Sequence, residues 1–393
     1  MKYDFDTPVD RRGSNSVKWD DSLDPDILPM WVADMDFRTL PNIVEAIKKR
    51  ADHGIFGYTS VPDRYYECII EYYRKYHGFE FKKEHMLYTI GVVPALSICV
   101  KSICTPDDCV IIQTPVYNCF FSSIKNHEIN AVHNPLVREG DTYRMDLEDL
   151  KAKIEVHRPK FLLLCNPHNP VGRVWRREEL EALGRICNDN NIMVVTDEIH
   201  NEITHKPNKY VPYGSISQEF FEKSITLFSP SKAFNLASLQ MASIVCCDPK
   251  VRHIIKRAIH INEISDVNPF GILAAIEAYT NGRDYLDQML EYIYSNYLLA
   301  REFIEKNMPE VGTTKLEGTY MMFLDCSCFG MDSMELNSRL IKEVKLRFSP
   351  GGIYGPEGNR FMRMNLATQR SRVQEGLNRF HAFYKGFFEN QGK

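Results

Sequence analysis

Five short, nearly continuous apolar runs punctuate the middle of the chain, with polar-faced helical stretches between them. They are CVIIQ (109–113), KFLLLC (160–165), IMVVT (192–196), SITLF (224–228) and ASIVCC (242–247). A strand that is apolar on both faces must be covered on both, which is how parallel sheets of α/β proteins are built. In the stretch RREELEALGRICNDN, between the second and third runs, Leu180, Leu183 and Cys187 recur at helical spacing and polar residues face away. The expected fold is therefore α/β, with a mostly parallel central sheet. Ligand sites in such sheets lie beyond the C-terminal ends of the strands, so the polar residues that follow each run are where chemistry is to be sought.

The rest of the chain reads differently. YLDQMLEYIYSNYLLAREFIEK (285–306) predicts a long helix, GTYMMFLDC a strand, and a final helix starts at about Ser371. These point to a smaller α+β domain. The expected division is a large domain over 46–285 and a small one made of 1–45 with 286–393. The length of 393 residues fits two domains.

Several function classes drop out on composition. A formal net charge of −4, with basic clusters such as Lys48–Arg50 and Arg173–Arg177 flanked by acids, argues against a nucleic-acid binder. No apolar run approaches the roughly 20 residues of a membrane helix, and MKYDFDTPVDRRGS lacks the apolar core of a signal peptide. The eleven cysteines form no CxxC pair and sit in apolar stretches, the usage of reduced thiols in a cytoplasmic protein. His200 and His205 lie five apart, beside Glu198 and Glu202, without HExxH, so no metal is expected. GGIYGPEG (351–358) lacks GxGxxG and reads as a turn.

Three run ends carry unusual polar sequences. FLLLC leads into Asn166-Pro167-His168-Asn169-Pro170-Val171-Gly172, IMVVT into Asp197-Glu198-Ile199-His200, and SITLF into Ser229-Pro230-Ser231-Lys232. Each alone has an ordinary reading: turn chemistry, a helix cap, a solvated lysine. At three strand ends of one sheet, however, an amide, a carboxylate and an amine converge on one crevice, which is what a pyridine cofactor needs.

The motifs NPHNPVG, TDEIH and SPSKAFNLA resemble those of fold-type I enzymes dependent on pyridoxal 5′-phosphate (PLP), the aspartate-aminotransferase-like class I/II superfamily, and the likeness runs from about Trp31 to Arg363. PMWVADMDF, TPVYNCF and RMNLA further resemble the MalY/PatB branch of cystathionine β-lyases and related C–S lyases. The resemblance implies that Lys232 carries PLP as an aldimine and acts as base at the substrate Cα. Asp197 would pair with the pyridine nitrogen. Asn169 would bond the ring's phenolic oxygen and border the substrate, and Tyr117 would stack on the ring. Phosphate binding would fall to the backbone at Val92 and Val93, where GVVPA follows a strand-like LYTI, together with the hydroxyls of Ser229 and Ser231. Tyr58, in GIFGYTS, matches the tyrosine that reaches the phosphate of the neighbouring subunit, which implies a homodimer. Arg363 would grip the α-carboxylate of a small amino-acid substrate, with Asn365 completing the motif. Val32 and Ala33 would line the substrate entry.

The sequence departs from many aminotransferases in two places. His200 stands where they carry a tyrosine that bonds the cofactor, and Gln240 where they carry a phosphate-binding arginine. Both departures suit the lyase branch. The activity implied is α,β-elimination from cystathionine or a related cysteine S-conjugate, giving thiol, pyruvate and ammonia. The alternatives are transamination with a 2-oxo acid acceptor, and a regulatory protein that keeps PLP as a structural ligand.

Overall fold

A computed structural model describes residues 2–22 and 24–391. All five apolar runs are strands of one seven-stranded sheet. In chain order its members are β1 (Met86–Thr89), β2 (Cys109–Ile112), β3 (Asn130–His133), β4 (Phe161–Cys165), β5 (Met193–Asp197), β6 (Ser224–Phe228) and β7 (Ala242–Cys246). Their order across the sheet is β1-β7-β6-β5-β4-β2-β3. Every residue of β4, β6 and β7 is buried, as two-sided coverage requires.

One expectation is refined. The run 242–247 joins the sheet as β7, which is antiparallel to both β6 and β1, while the pairs β6–β5, β5–β4, β4–β2 and β2–β3 are parallel. The chain leaves β6 at Phe228 and returns within 13 residues, too short for a helical crossover. That return loop contains Lys232.

A second sheet is antiparallel throughout: β8 (Gly312–Thr313), β9 (Met321–Asp325), β10 (Ser349–Pro350) and β11 (Phe361–Asn365), in the order β8-β9-β11-β10. Leu28–Pro29 pairs in parallel with Leu346–Arg347, which ties the N-terminal segment to this side of the molecule. Helix α1 (Pro41–Asp52) packs on α2 (Pro269–Asn281), and the predicted long helix is α3 (Arg283–Asn307). The residue pairs 45/46 and 285/286 therefore fall inside helices α1 and α3.

Candidate active site

The strands β1, β2, β4, β5 and β6 end on one edge of the large sheet, where their following loops enclose a cavity of about 280 Å³. Of the residues singled out in the sequence, Ala33, Val92, Val93, Tyr117, Asn169, Asp197, His200, Ser231 and Lys232 line it. Ile90, Gly91, Pro94, Cys165, Ile199, Ala237, Gln240 and Met241 complete the wall.

Asp197 is the last residue of β5 and is 3 % exposed. Its carboxylate takes one hydrogen bond among the described residues, from the Ile199 N–H at 3.0 Å. Burial raises it to about 7, against the pull of that bond and of Lys232. Lys232 donates from Nζ to the carbonyl oxygen of Ala33 at 2.6 Å. Desolvation, with help from the Arg363 charge, lowers its ammonium to about 8. A carboxylate and an amine thus sit in one cavity, each pushed toward neutrality, a pattern concentrated at reactive sites.

The helix Val92–Ile103 begins at the cavity wall, and its N-cap Gly91 offers no side chain to the first-turn amides. The Val92 and Val93 N–H groups are therefore open to an anion. Ser231 belongs to the same wall. Ser229 does not: it is buried, its hydroxyl donates to the Met241 carbonyl at 2.7 Å, and its oxygen accepts from the Ser231 N–H at 3.1 Å. Its hydroxyl is already committed, contrary to the role suggested by its position in the sequence.

Arg363 comes from β11 in the other sheet and is 4 % exposed. Nη1 donates to Asn169 Oδ1 at 3.1 Å and Nη2 to the Trp31 carbonyl at 2.8 Å, while Nε is buried without a partner. The guanidinium stands 4.9 Å from the Tyr354 ring centre. It meets the cavity through Asn169 and leaves a spare donor for a carboxylate. Asn365 Nδ2 donates to the Val32 and Asp34 carbonyls, both at 2.6 Å, so Val32 is held beside the cavity while Ala33 faces into it.

His200 is buried with Nδ1 unpartnered. Burial, then Lys232 and Arg363, hold its pKa well below the usual histidine range, so it is a neutral imidazole in the wall. Tyr58 lies elsewhere. It is fully exposed and lines a separate recess with Phe56, Asp266 and Phe270. One participant escaped the sequence reading: Tyr320, in GTYMMFLDC, is buried and donates its hydroxyl to the Ala33 carbonyl at 2.9 Å. No spacing pattern flags it, because in sequence it is one more apolar residue at the head of a strand.

The family model for aminotransferase class I and II matches residues 25–380. The chain belongs to that family. It is 38 % identical over 382 residues to the cystathionine β-lyase PatB of Bacillus subtilis, covering 96 % of this chain and 99 % of that one. The structure of cystalysin from Treponema denticola, which contains PLP, superposes with a TM-score of 0.95 at 31 % identity, covering 98 % of this chain and 100 % of the other. A PLP-bound C–S lyase from Staphylococcus hominis gives a TM-score of 0.92 at 31 % identity over 97 % and 98 % of the two chains. The fold is thus that of fold-type I PLP enzymes. No helix among the described residues is long and apolar enough to cross a membrane, and no cluster of three metal-ligating side chains occurs among them.

Proposed function

We propose that this protein is a PLP-dependent C–S β-lyase that cleaves cystathionine or a related cysteine S-conjugate to thiol, pyruvate and ammonia. The single observation that carries the reading is the buried carboxylate Asp197 facing Lys232 in a cavity that also opens on free helix N-terminal amides. A phosphorylated pyridine satisfies each of these. Asp197 would pair with a protonated ring nitrogen, the Val92 and Val93 amides with Ser231 would hold the phosphate, and Lys232 would supply the amine. Asn169 and Tyr117 border the ring in this reading, and His200 offers a neutral imidazole to it.

When bound, PLP provides an electron sink for the charge left at Cα. The chain does the rest. Arg363, with its unpartnered Nε, would grip the substrate carboxylate and so orient the bonds at Cα. Val32 and Ala33 form the entry wall. Lys232, whose ammonium burial lowers to about 8 so that the neutral amine is far more accessible than in an exposed lysine, removes the Cα proton. The Cβ–S electrons leave with sulfur, and the three-carbon remainder takes up water to give pyruvate and ammonia.

Three further readings belong to this proposal. The protein works as a homodimer in which Tyr58 reaches the partner's phosphate site; its full exposure in a single chain supports this. The two sheets belong to two domains, with the divisions best drawn at the joints before α1 and α3. The protein acts in the cytoplasm, in keeping with eleven cysteines all free of disulfides.

The test is an absorbance scan followed by pyruvate assay with L-cystathionine. A visible cofactor band lost in Lys232→Ala, with pyruvate formed without any 2-oxo acid, is the expected result. Turnover that requires a 2-oxo acid acceptor would replace the lyase with an aminotransferase.

A further inference from the structure

Six consecutive carbonyls of the N-terminal strap, Met30 to Met35, all have donors. Met30 O accepts from the Asn365 N–H at 2.9 Å and Trp31 O from Arg363. Val32 O and Asp34 O share the Asn365 amide, and Met35 O takes Arg11 and Asn235. The bonds to these five carbonyls hold the strap. The sixth carbonyl, Ala33, belongs to the cavity wall, and its two donors are the Lys232 amine at 2.6 Å and the Tyr320 hydroxyl at 2.9 Å.

We propose that the Ala33 carbonyl is the station that holds the Lys232 amine whenever it is not bonded to the cofactor, and that Tyr320 is the positioning residue that fixes the direction of that contact. The inference rests on Lys232 being the cofactor's lysine.

A released lysine hangs on four methylenes and has many rotamers to lose. A carbonyl only accepts, so a neutral amine bound to it must donate an N–H. Its lone pair then points away from Ala33, free to take a proton from a substrate carbon. After that transfer the same oxygen supports the ammonium. An oxygen has two lone-pair directions. The Tyr320 hydroxyl occupies one, which leaves the amine the other. Tyr320 is itself immobile: its residue is buried, its ring stands edge-on to His200 at 5.8 Å, and the preceding Thr319 N–H is bonded to Ile203 O at 2.8 Å. Gly318 lets the chain approach so closely, because a Cβ there would lie 2.7 Å from Val174 Cγ2 and 3.0 Å from Pro167 Cβ. Arg363, Asp34, Asp197 and Cys119 act on the amine by charge and the neutral His200 faces it, and Tyr320→Phe changes the charge of none of them.

Three measurements test this. In cofactor-free protein, Lys232 is pulse-labelled with acetic anhydride across pH and quantified by peptide mass spectrometry. Tyr320→Phe frees the second lone pair and strengthens the acceptor, so the Lys232 titration moves up by about half a unit. In the holoenzyme, kcat falls several-fold while KM stays within about twofold, because binding groups are untouched. In a crystal of the wild-type holoenzyme with L-alanine, which has no leaving group at Cβ, Nζ lies within hydrogen-bond distance of Ala33 O. An unshifted titration, an unchanged kcat, or an amine resting on another acceptor each overturns the proposal. The crystal result stands even if the variant folds poorly. Failure of the underlying reading shows separately, as a cofactor band that survives Lys232→Ala.

Discussion

Two buried aspartates, Asp36 and Asp197, sit in the same molecule at 2 % and 3 % exposure and behave in opposite ways. Asp36 is surrounded by donors: Lys18 Nζ at 2.8 Å, Trp19 Nε1 at 2.8 Å and Arg11 Nη1 at 2.9 Å, with Arg372 at 3.8 Å. Burial alone would raise its pKa, but the Lys18 charge and bond and the Trp19 N–H outweigh it and bring it to about 2. Asp197 has one backbone N–H and rises to about 7. The first carboxylate is complete within the fold and ties the N-terminal segment in place. The second is incomplete, and its deficit is one cation. A buried acid with its partners supplied is architecture, whereas one left short of a partner marks where something else binds.

The contrast breaks most sharply under matched substitutions. Asp197→Asn removes the ring-nitrogen partner, and turnover should fall by on the order of 10³-fold, the scale seen when a charge-stabilising group is deleted. Cofactor-free Asp197→Asn should nevertheless be no less stable than wild type above neutral pH, since a desolvated charge is gone. Asp36→Asn should do the reverse. It leaves Lys18, 3 % exposed, without its closest counter-charge, and urea unfolding should show a loss of about 3–5 kcal/mol. Equal stability losses in the two variants would collapse the distinction.

pH sharpens it further. The Asp197 pKa in the folded cofactor-free protein, about 7, lies above the ordinary 3.8. Its contribution is therefore fully present below the ordinary value and is lost as pH rises through 7, by roughly 4 kcal/mol at most. Asp36, at about 2, contributes stability that is present above 3.8 and lost as pH falls toward 2. Urea midpoints of the cofactor-free protein should carry an Asp197-dependent decline between about pH 4 and 7 that Asp197→Asn abolishes and PLP suppresses. Asp36→Asn should flatten only the limb below about pH 4. An Asp197-dependent slope that persists unchanged in the holoenzyme would mean that the carboxylate does not meet a cationic ring.

Arg363 lies between the two cases, with two donors used and Nε spare. Arg363→Lys keeps a charge but loses the fork, and kcat/KM should fall by roughly 10–100-fold, about 1.4–2.7 kcal/mol. Retention of wild-type kcat/KM would remove Arg363 from the substrate clamp.

What could be read in the sequence follows the same line. Five of the sheet's seven strands were legible because two-sided burial forces unbroken apolar runs, and LYTI before Gly91 also read as strand-like; β3 (Asn130–His133), an edge strand that is exposed or half-buried, was not. Asp197, Asn169 and Lys232 were legible because polar groups that close an apolar run stand out. The direction of β7 was not, since an apolar run carries no sign of its sense; the shortness of the 229–241 return decides it. Tyr320 was hidden because a tyrosine before Met-Met-Phe looks like core, and only the meeting of two distant segments turns its hydroxyl toward Ala33. The strap carbonyls were equally silent, as backbone acceptors have no sequence signature.

The smallest effect separates two serines that sequence treats alike. Ser229 and Ser231 are two residues apart, and either hydroxyl fits a phosphate. The fold sends the Ser229 hydroxyl backward to Met241 O, across the turn between β6 and β7, and leaves Ser231 in the cavity wall. Ser229→Ala should therefore cost about 1 kcal/mol of stability, the worth of one buried hydrogen bond, with PLP affinity unchanged. Ser231→Ala should leave the melting temperature of the cofactor-free protein nearly unchanged and weaken PLP binding by roughly tenfold, as one lost hydrogen bond to a charged group implies. Equilibrium titration of the two cofactor-free variants with PLP checks both. If Ser229→Ala weakens the cofactor as much as Ser231→Ala does, then the turn reorganises on binding and the Met241 contact does not persist in the holoenzyme.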